Sequence, residues 1–100
     1  VNTIADSMGA PLHCAESFAV CQRVIDRIVL VDDDALCQAM ALIYDTFRFA
    51  LEPAGVSVIA ALTVPLADSL RDQRIAALLC GSNIDEPSWC NLVQRGRNGA

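Results

Sequence analysis

Asp26-Arg27-Ile28-Val29-Leu30-Val31-Asp32-Asp33-Asp34-Ala35-Leu36 is the stretch on which the fold turns. Residues 27–31 form a compact, β-branched run bounded by aspartates, which reads as a buried strand. A helix is expected to follow over residues 35–51, because Leu36, Met40, Ile43, Phe47 and Leu51 recur at steps of four and three along one face. The three aspartates between them have two readings. Carboxylate oxygens are the ligands that calcium and magnesium prefer. Carboxylates also cap helix N-termini, where free N–H groups and the macrodipole favour negative charge. Capping is the simpler reading, and no metal is expected.

Outward from this stretch, Phe18, Cys21 and Ile25 recur at helical spacing, which predicts a short amphipathic helix over residues 14–25. Pro53 and Gly55 break the longer helix, and residues 56–66 predict a buried second one that Pro65 ends or kinks. Residues 74–80 form the other apolar run of strand length, and Gly81-Ser82-Asn83 follows directly as a turn. Two buried strands among four or five helices predict an α/β fold with a parallel sheet. Ligands of such sheets sit beyond the carboxyl ends of the strands, where residues 81–83 would lie. A last helix is expected over residues 86–93, with Pro87 near its first turn and Trp89 and Leu92 facing inward. Residues 1–13 read as a loop and residues 94–100 as a frayed tail.

A chain of 100 residues suits one domain, spanning residues 1–100. Its hydrophobic fraction of 54% and mean hydropathy of +0.41 exceed what one small core hides, so part of the apolar surface is expected to meet another chain. A homo-oligomer, most simply a twofold dimer anchored by Met40, Phe47 and Trp89, or a complementary upstream chain would serve. No apolar stretch approaches the ~18 residues of a membrane span, and no signal peptide is evident, so a cytoplasmic protein is expected. The net charge of -5 and the dispersed arginines argue against a nucleic-acid partner. The five cysteines are odd in number and form no C-x-x-C pair, which suits reduced thiols in apolar surroundings better than zinc or disulfides. His13 and Cys14 are adjacent with no third orienting group, so a nucleophile pair is not expected there. Glu52, between a helix end and Pro53, reads most simply as a solvated boundary residue.

Four segments, taken together, resemble a known family. Thr3-Ile4-Ala5-Asp6, residues 26–36, Glu52-Pro53-Ala54-Gly55 and Leu79-Cys80-Gly81-Ser82-Asn83-Ile84-Asp85 occur in the order and spacing seen in threonine dehydratases and serine racemases, fold-type II pyridoxal-phosphate enzymes. The resemblance covers residues 2–90 and implies the last third of that family's catalytic region, a partial large domain. It implies that Cys80 stands where a serine, threonine or cysteine hydrogen-bonds the cofactor's pyridine nitrogen. It also implies that Gly81 and Asn83 shape the turn around the cofactor, and that Glu52 lies near its ring. A thiol or hydroxyl at that nitrogen does not protonate it, which suits elimination chemistry needing a mild electron sink. Ser7 and Ser82 depart from the pattern, standing where glycine is common.

The family's lysine, phosphate-binding loop and metal ligands belong to its earlier two thirds, and all seven basic residues of this sequence are arginines. No catalytic residue and no cofactor are therefore expected for this chain alone. Two functions follow. One is a non-catalytic remnant or split fragment that associates with itself. The other is the C-terminal part of a pyridoxal-phosphate-dependent ammonia-lyase or racemase, active only with a partner that supplies the lysine and the phosphate loop.

Overall fold

The computed structural model describes residues 2–99. Its elements in chain order are a 3-10 turn at Asp6–Met8, α1 (Ala15–Val24), α2 (Asp33–Phe47), a second 3-10 turn at Ala54–Val56 running into α3 (Ser57–Thr63), and α4 (Glu86–Asn98).

The α/β expectation is overturned, because no strand occurs among the described residues. Residues 27–31 and 74–80 run without regular pairing, and the reason is physical: a strand exists only where a neighbour takes its N–H and C=O groups. The period-two pattern survives in the first run. Val29 and Val31 are half-buried, with Val31 against the core, whereas Ile28 and Leu30 are 80% and 89% exposed. The second run likewise lays Leu79 on the core and leaves Leu78 79% exposed.

Helix α2 is the centre of the molecule, and α4, α3 and the second 3-10 turn pack on it. Asp32 caps it, its carboxylate accepting the N–H of Ala35 at 2.8 Å, and Asp33 and Asp34 charge its first turn. It ends at Phe47 rather than at Leu51, because Arg48 takes up left-handed backbone (φ 61°, ψ 31°). That conformation is costly for a residue with a Cβ. Here the guanidinium offsets the cost by donating to the carbonyls of Tyr44 (3.0 Å) and Asp45 (2.9 Å) while lying 5.5 Å from the centre of the Tyr44 ring. Leu36, Met40, Val56 and Cys37 are the largest fully buried side chains. Met40 is therefore spent in the chain's own core and is not free to anchor a partner, whereas Phe47 is 56% exposed.

Helix α4 continues to Asn98, so the tail expected to fray is ordered as far as that residue. Gly96 is buried against the Cys37 carbonyl, and Arg95 and Arg97 pair with Asp34 and Asp45 across the α2–α4 seam. Such exposed pairs contribute about 0–1 kcal/mol each, so burial of the seam holds the two helices together. Helix α1 forms near the expected place, yet it buries no residue, and Phe18, Val20 and Val24 are more than half exposed. No helix of the described residues is long and apolar enough to cross a membrane.

Candidate functional site

Each of the three aspartates has a partner, and none of those partners is another carboxylate. Asp32 holds Ala35, Asp34 holds Arg95, and Asp33 accepts from the Thr3 hydroxyl and the Ile4 N–H. Asp33 thereby ties Thr3-Ile4-Ala5-Asp6 to the start of α2 and helps seat Ala5 in the core. Among the described residues no group of three or more His, Cys, Asp or Glu side chains is disposed to hold a metal ion.

The Glu52 and Cys80 segments meet through two backbone hydrogen bonds, one in each direction. Glu52 N–H donates to the Gly81 carbonyl and Cys80 N–H donates to the Gly55 carbonyl, both at 3.2 Å. This approach depends on Gly55: a Cβ there would lie 2.7 Å from the Gly81 oxygen and 3.0 Å from the Cys80 oxygen. A Cβ on Gly81 would in turn lie 3.2 Å from Oε1 of Glu52, so the carboxylate rests over a residue with no side chain. Beyond the turn, Asp85 caps α4 by accepting the Ser88 N–H at 2.9 Å. That bond, with a further one from the Ser88 side chain, holds the Asp85 carboxyl below the usual aspartate range.

A cavity of about 740 Å³ opens beside this junction, with Ile4, Asp6, Glu52, Asn83, Asp85 and Asn91 on its walls. Three of the four sequence segments thus border one space, and the fourth holds the first of them in position. Of the residues singled out, Glu52 and Asn83 line the cavity, whereas Cys80 and Gly81 adjoin it through the backbone bonds without lining it. Glu52 is half-buried rather than freely solvated. His13 lies elsewhere, in an apolar groove with Phe18, Cys21 and Ile25. Trp89, which reads as an inward-facing core residue, is also half-buried, but its indole N–H reaches the Leu51 carbonyl at 3.1 Å, a bond that nothing in the sequence signals.

Cys80 is exposed, contrary to the burial expected at the end of a strand, because residues 74–80 form no strand and no strand among the described residues packs beside them. Cys14, Cys21 and Cys90 are exposed too, and only Cys37 is buried, where loss of water pushes its thiol up. A thiol reagent is therefore expected to label the four exposed cysteines within minutes in the native state and Cys37 only on unfolding. Peptide mass spectrometry reads this directly, and protection of Cys80 would show that this turn is covered.

The chain belongs to the family of pyridoxal-phosphate dependent enzymes, whose profile it matches over residues 1–81. It is 42% identical to a phenylserine dehydratase of Ralstonia pickettii over 96 residues, covering 96% of this chain and 29% of that protein. It is 35% identical to a biosynthetic L-threonine dehydratase of Escherichia coli over 71 residues, 70% of this chain and 14% of that one. A chloroplastic threonine dehydratase of Solanum tuberosum is 34% identical over 86 residues, 85% of this chain and 24% of that protein. The chain spans less than a third of the length of these relatives.

The donor set suits only part of the family's cofactor. Glu52, resting over a residue with no side chain, and Asn83 on the same wall offer hydrogen-bonding groups that suit a flat heteroaromatic ring. A phosphate finds no arginine, lysine or histidine among the residues lining the cavity, and Asp6, Glu52 and Asp85 make that wall acidic.

Proposed function

We propose that this chain supplies the ring-facing wall of a pyridoxal-phosphate site in a dehydratase of β-hydroxy-α-amino acids, and that a complementary stretch of protein supplies the lysine and the phosphate cradle. The observation that carries this reading is the junction of Glu52, Gly55, Cys80 and Gly81, two reciprocal backbone bonds made possible by a glycine, beside a cavity with Glu52 and Asn83 on its wall. The substrate class rests on the likeness to the phenylserine and threonine dehydratases.

When bound, the cofactor supplies an electron sink for the substrate's α-carbon. By the resemblance, the Cys80 thiol would be the group that faces the ring nitrogen, and a weak donor there would keep the sink mild. Gly81 would let the ring approach the backbone, Asn83 would offer its amide to it, and Glu52 would present a carboxylate from the cavity wall. Removal of the α-proton is assigned to the lysine of the complementary segment.

The exposed apolar residues favour a second reading, a non-catalytic chain that associates with itself. Ile28, Leu30, Leu78 and Phe47 are each more than half exposed, which is costly in isolation. Light scattering separates the two readings. The pure chain is expected to weigh more than its 10.7 kDa monomer. Adding a fragment of a threonine dehydratase that carries the lysine and phosphate loop is expected to convert it to a one-to-one complex that takes up pyridoxal phosphate. A stable self-associated particle that ignores the fragment would favour the non-catalytic reading. A compact monomer that ignores it would overturn both.

A further inference from the structure

We propose that Trp89 is a positioning residue for Glu52, acting through the single peptide group that joins Leu51 to Glu52; the inference rests on the ring-facing role proposed above. The carbonyl of that group accepts the Trp89 indole N–H at 3.1 Å, and the N–H of the same group donates to the Gly81 carbonyl at 3.2 Å. One amide plane is thus held from both edges, by α4 on one side and by the turn at 81–83 on the other. An amide that donates and accepts at once is polarised, so each bond strengthens the other. Fixing this plane fixes the N–Cα bond of Glu52, and the Glu52 carbonyl, which accepts the Gly55 N–H at 3.0 Å, holds the next plane; the two together set φ at Glu52 and the direction in which its Cα–Cβ bond leaves the backbone.

The indole is itself held. Its ring meets that of Tyr44 edge-on, with centroids 4.9 Å apart and planes at 73°, and Tyr44 belongs to α2. Trp89 also lines a small cavity of about 210 Å³ with Ser82, Ile84 and Glu86, while Ser82 and Ile84 line the larger cavity as well. Ser82 and Ile84 thus border both the cavity that Trp89 lines and the one that Glu52 lines. A shift of α4 reaches Glu52 through the Leu51–Glu52 peptide and reaches Asn83 through the turn at 82–84.

Amide hydrogen exchange of the chain, followed by NMR, tests the proposal. Trp89→Phe keeps an aromatic ring against Tyr44 but removes the N–H along with part of the ring area. The Glu52 amide should then exchange about tenfold faster, the effect of losing one hydrogen bond of ordinary net strength, while amides within α2 and α4 stay protected. Trp89→Leu removes the ring contact too. It should lower the unfolding midpoint further while leaving Glu52 exchange close to the Phe variant's, a split that a purely structural tryptophan would not produce. Should the variants not fold, the wild-type indole N–H decides the matter: slow exchange supports the bond, and free exchange with solvent overturns it. Unchanged Glu52 protection in Trp89→Phe overturns the positioning role. Pyridoxal 5′-phosphate added to wild type together with the complementary fragment that carries the lysine and phosphate loop should shift the Gly81 and Asn83 resonances. Absence of that shift counts against the ring-facing site alone, since the exchange data are collected without either addition.

Discussion

The purified chain is expected to form no keto acid from threonine or phenylserine above the rate of free pyridoxal phosphate. Elimination across the α- and β-carbons needs a base at the α-proton and a covalent hold on the cofactor, and the family draws both from a lysine amine. The sequence has no lysine, and its arginines stay protonated at any working pH, so none of them substitutes. Positioned general acid–base catalysis alone contributes about 10²–10⁴-fold, and loss of the covalent hold removes more. The expected effect is therefore complete loss within the sensitivity of a coupled keto-acid assay. An α-amine that met the cofactor without a phosphate cradle would give no more than the background of a simple amine. Turnover well above that background, abolished by Cys80→Ala, would mean that this chain carries chemistry of its own.

What the sequence discloses here is local, and what it hides is pairing. Asp32 as a cap and the apolar face of α2 through Leu36, Met40 and Ile43 are properties of neighbouring residues, and the structure has them where the pattern sets them, whereas Pro53 and Gly55 do not end α2 but lie at the 3-10 turn that leads into α3. Residues 27–31 have the composition of a strand, but β-propensity describes fitness for a pleated, half-buried surface and does not create the neighbour that completes it. Arg48 stops α2 in left-handed backbone without the glycine or asparagine that would have signalled it, and its compensation comes from its own side chain. The convergence of Glu52 on the turn at 81–83 was legible only through resemblance. No spacing rule places residues some thirty positions apart across one pair of hydrogen bonds, and no composition rule ties Trp89 to the Leu51 carbonyl.

Replacing Gly96 by alanine should be among the most damaging single-methyl changes available to this fold. An added Cβ would run into the carbonyl oxygen and carbon of Cys37 and would lie 2.8 Å from the Gln38 nitrogen, all of them backbone atoms of α2 that no rotamer change can move aside. Two effects oppose each other. Alanine is the better helix former, worth about 0.5–1 kcal/mol over glycine within α4. Overpacking against rigid neighbours costs about 1–3 kcal/mol and more where only backbone can yield, so the clash wins. For so small a core, a net loss of about 2 kcal/mol is a large share of a total stability near the low end of the usual 5–15 kcal/mol. The helices can relieve the overlap only by moving apart, which would open the Arg95–Asp34 and Arg97–Asp45 pairs and draw the Trp89 indole from the Leu51 carbonyl. Gly99→Ala is the matched control: its Cβ would sit 3.5 Å from the Arg95 oxygen, an ordinary contact, and its φ of -87° suits alanine. Urea denaturation should give Gly96→Ala a clearly lower midpoint and Gly99→Ala one within error of wild type. Equal midpoints for the two variants would show that α4 does not dock on α2 through this glycine, and the path from α4 to Glu52 would lose its foundation.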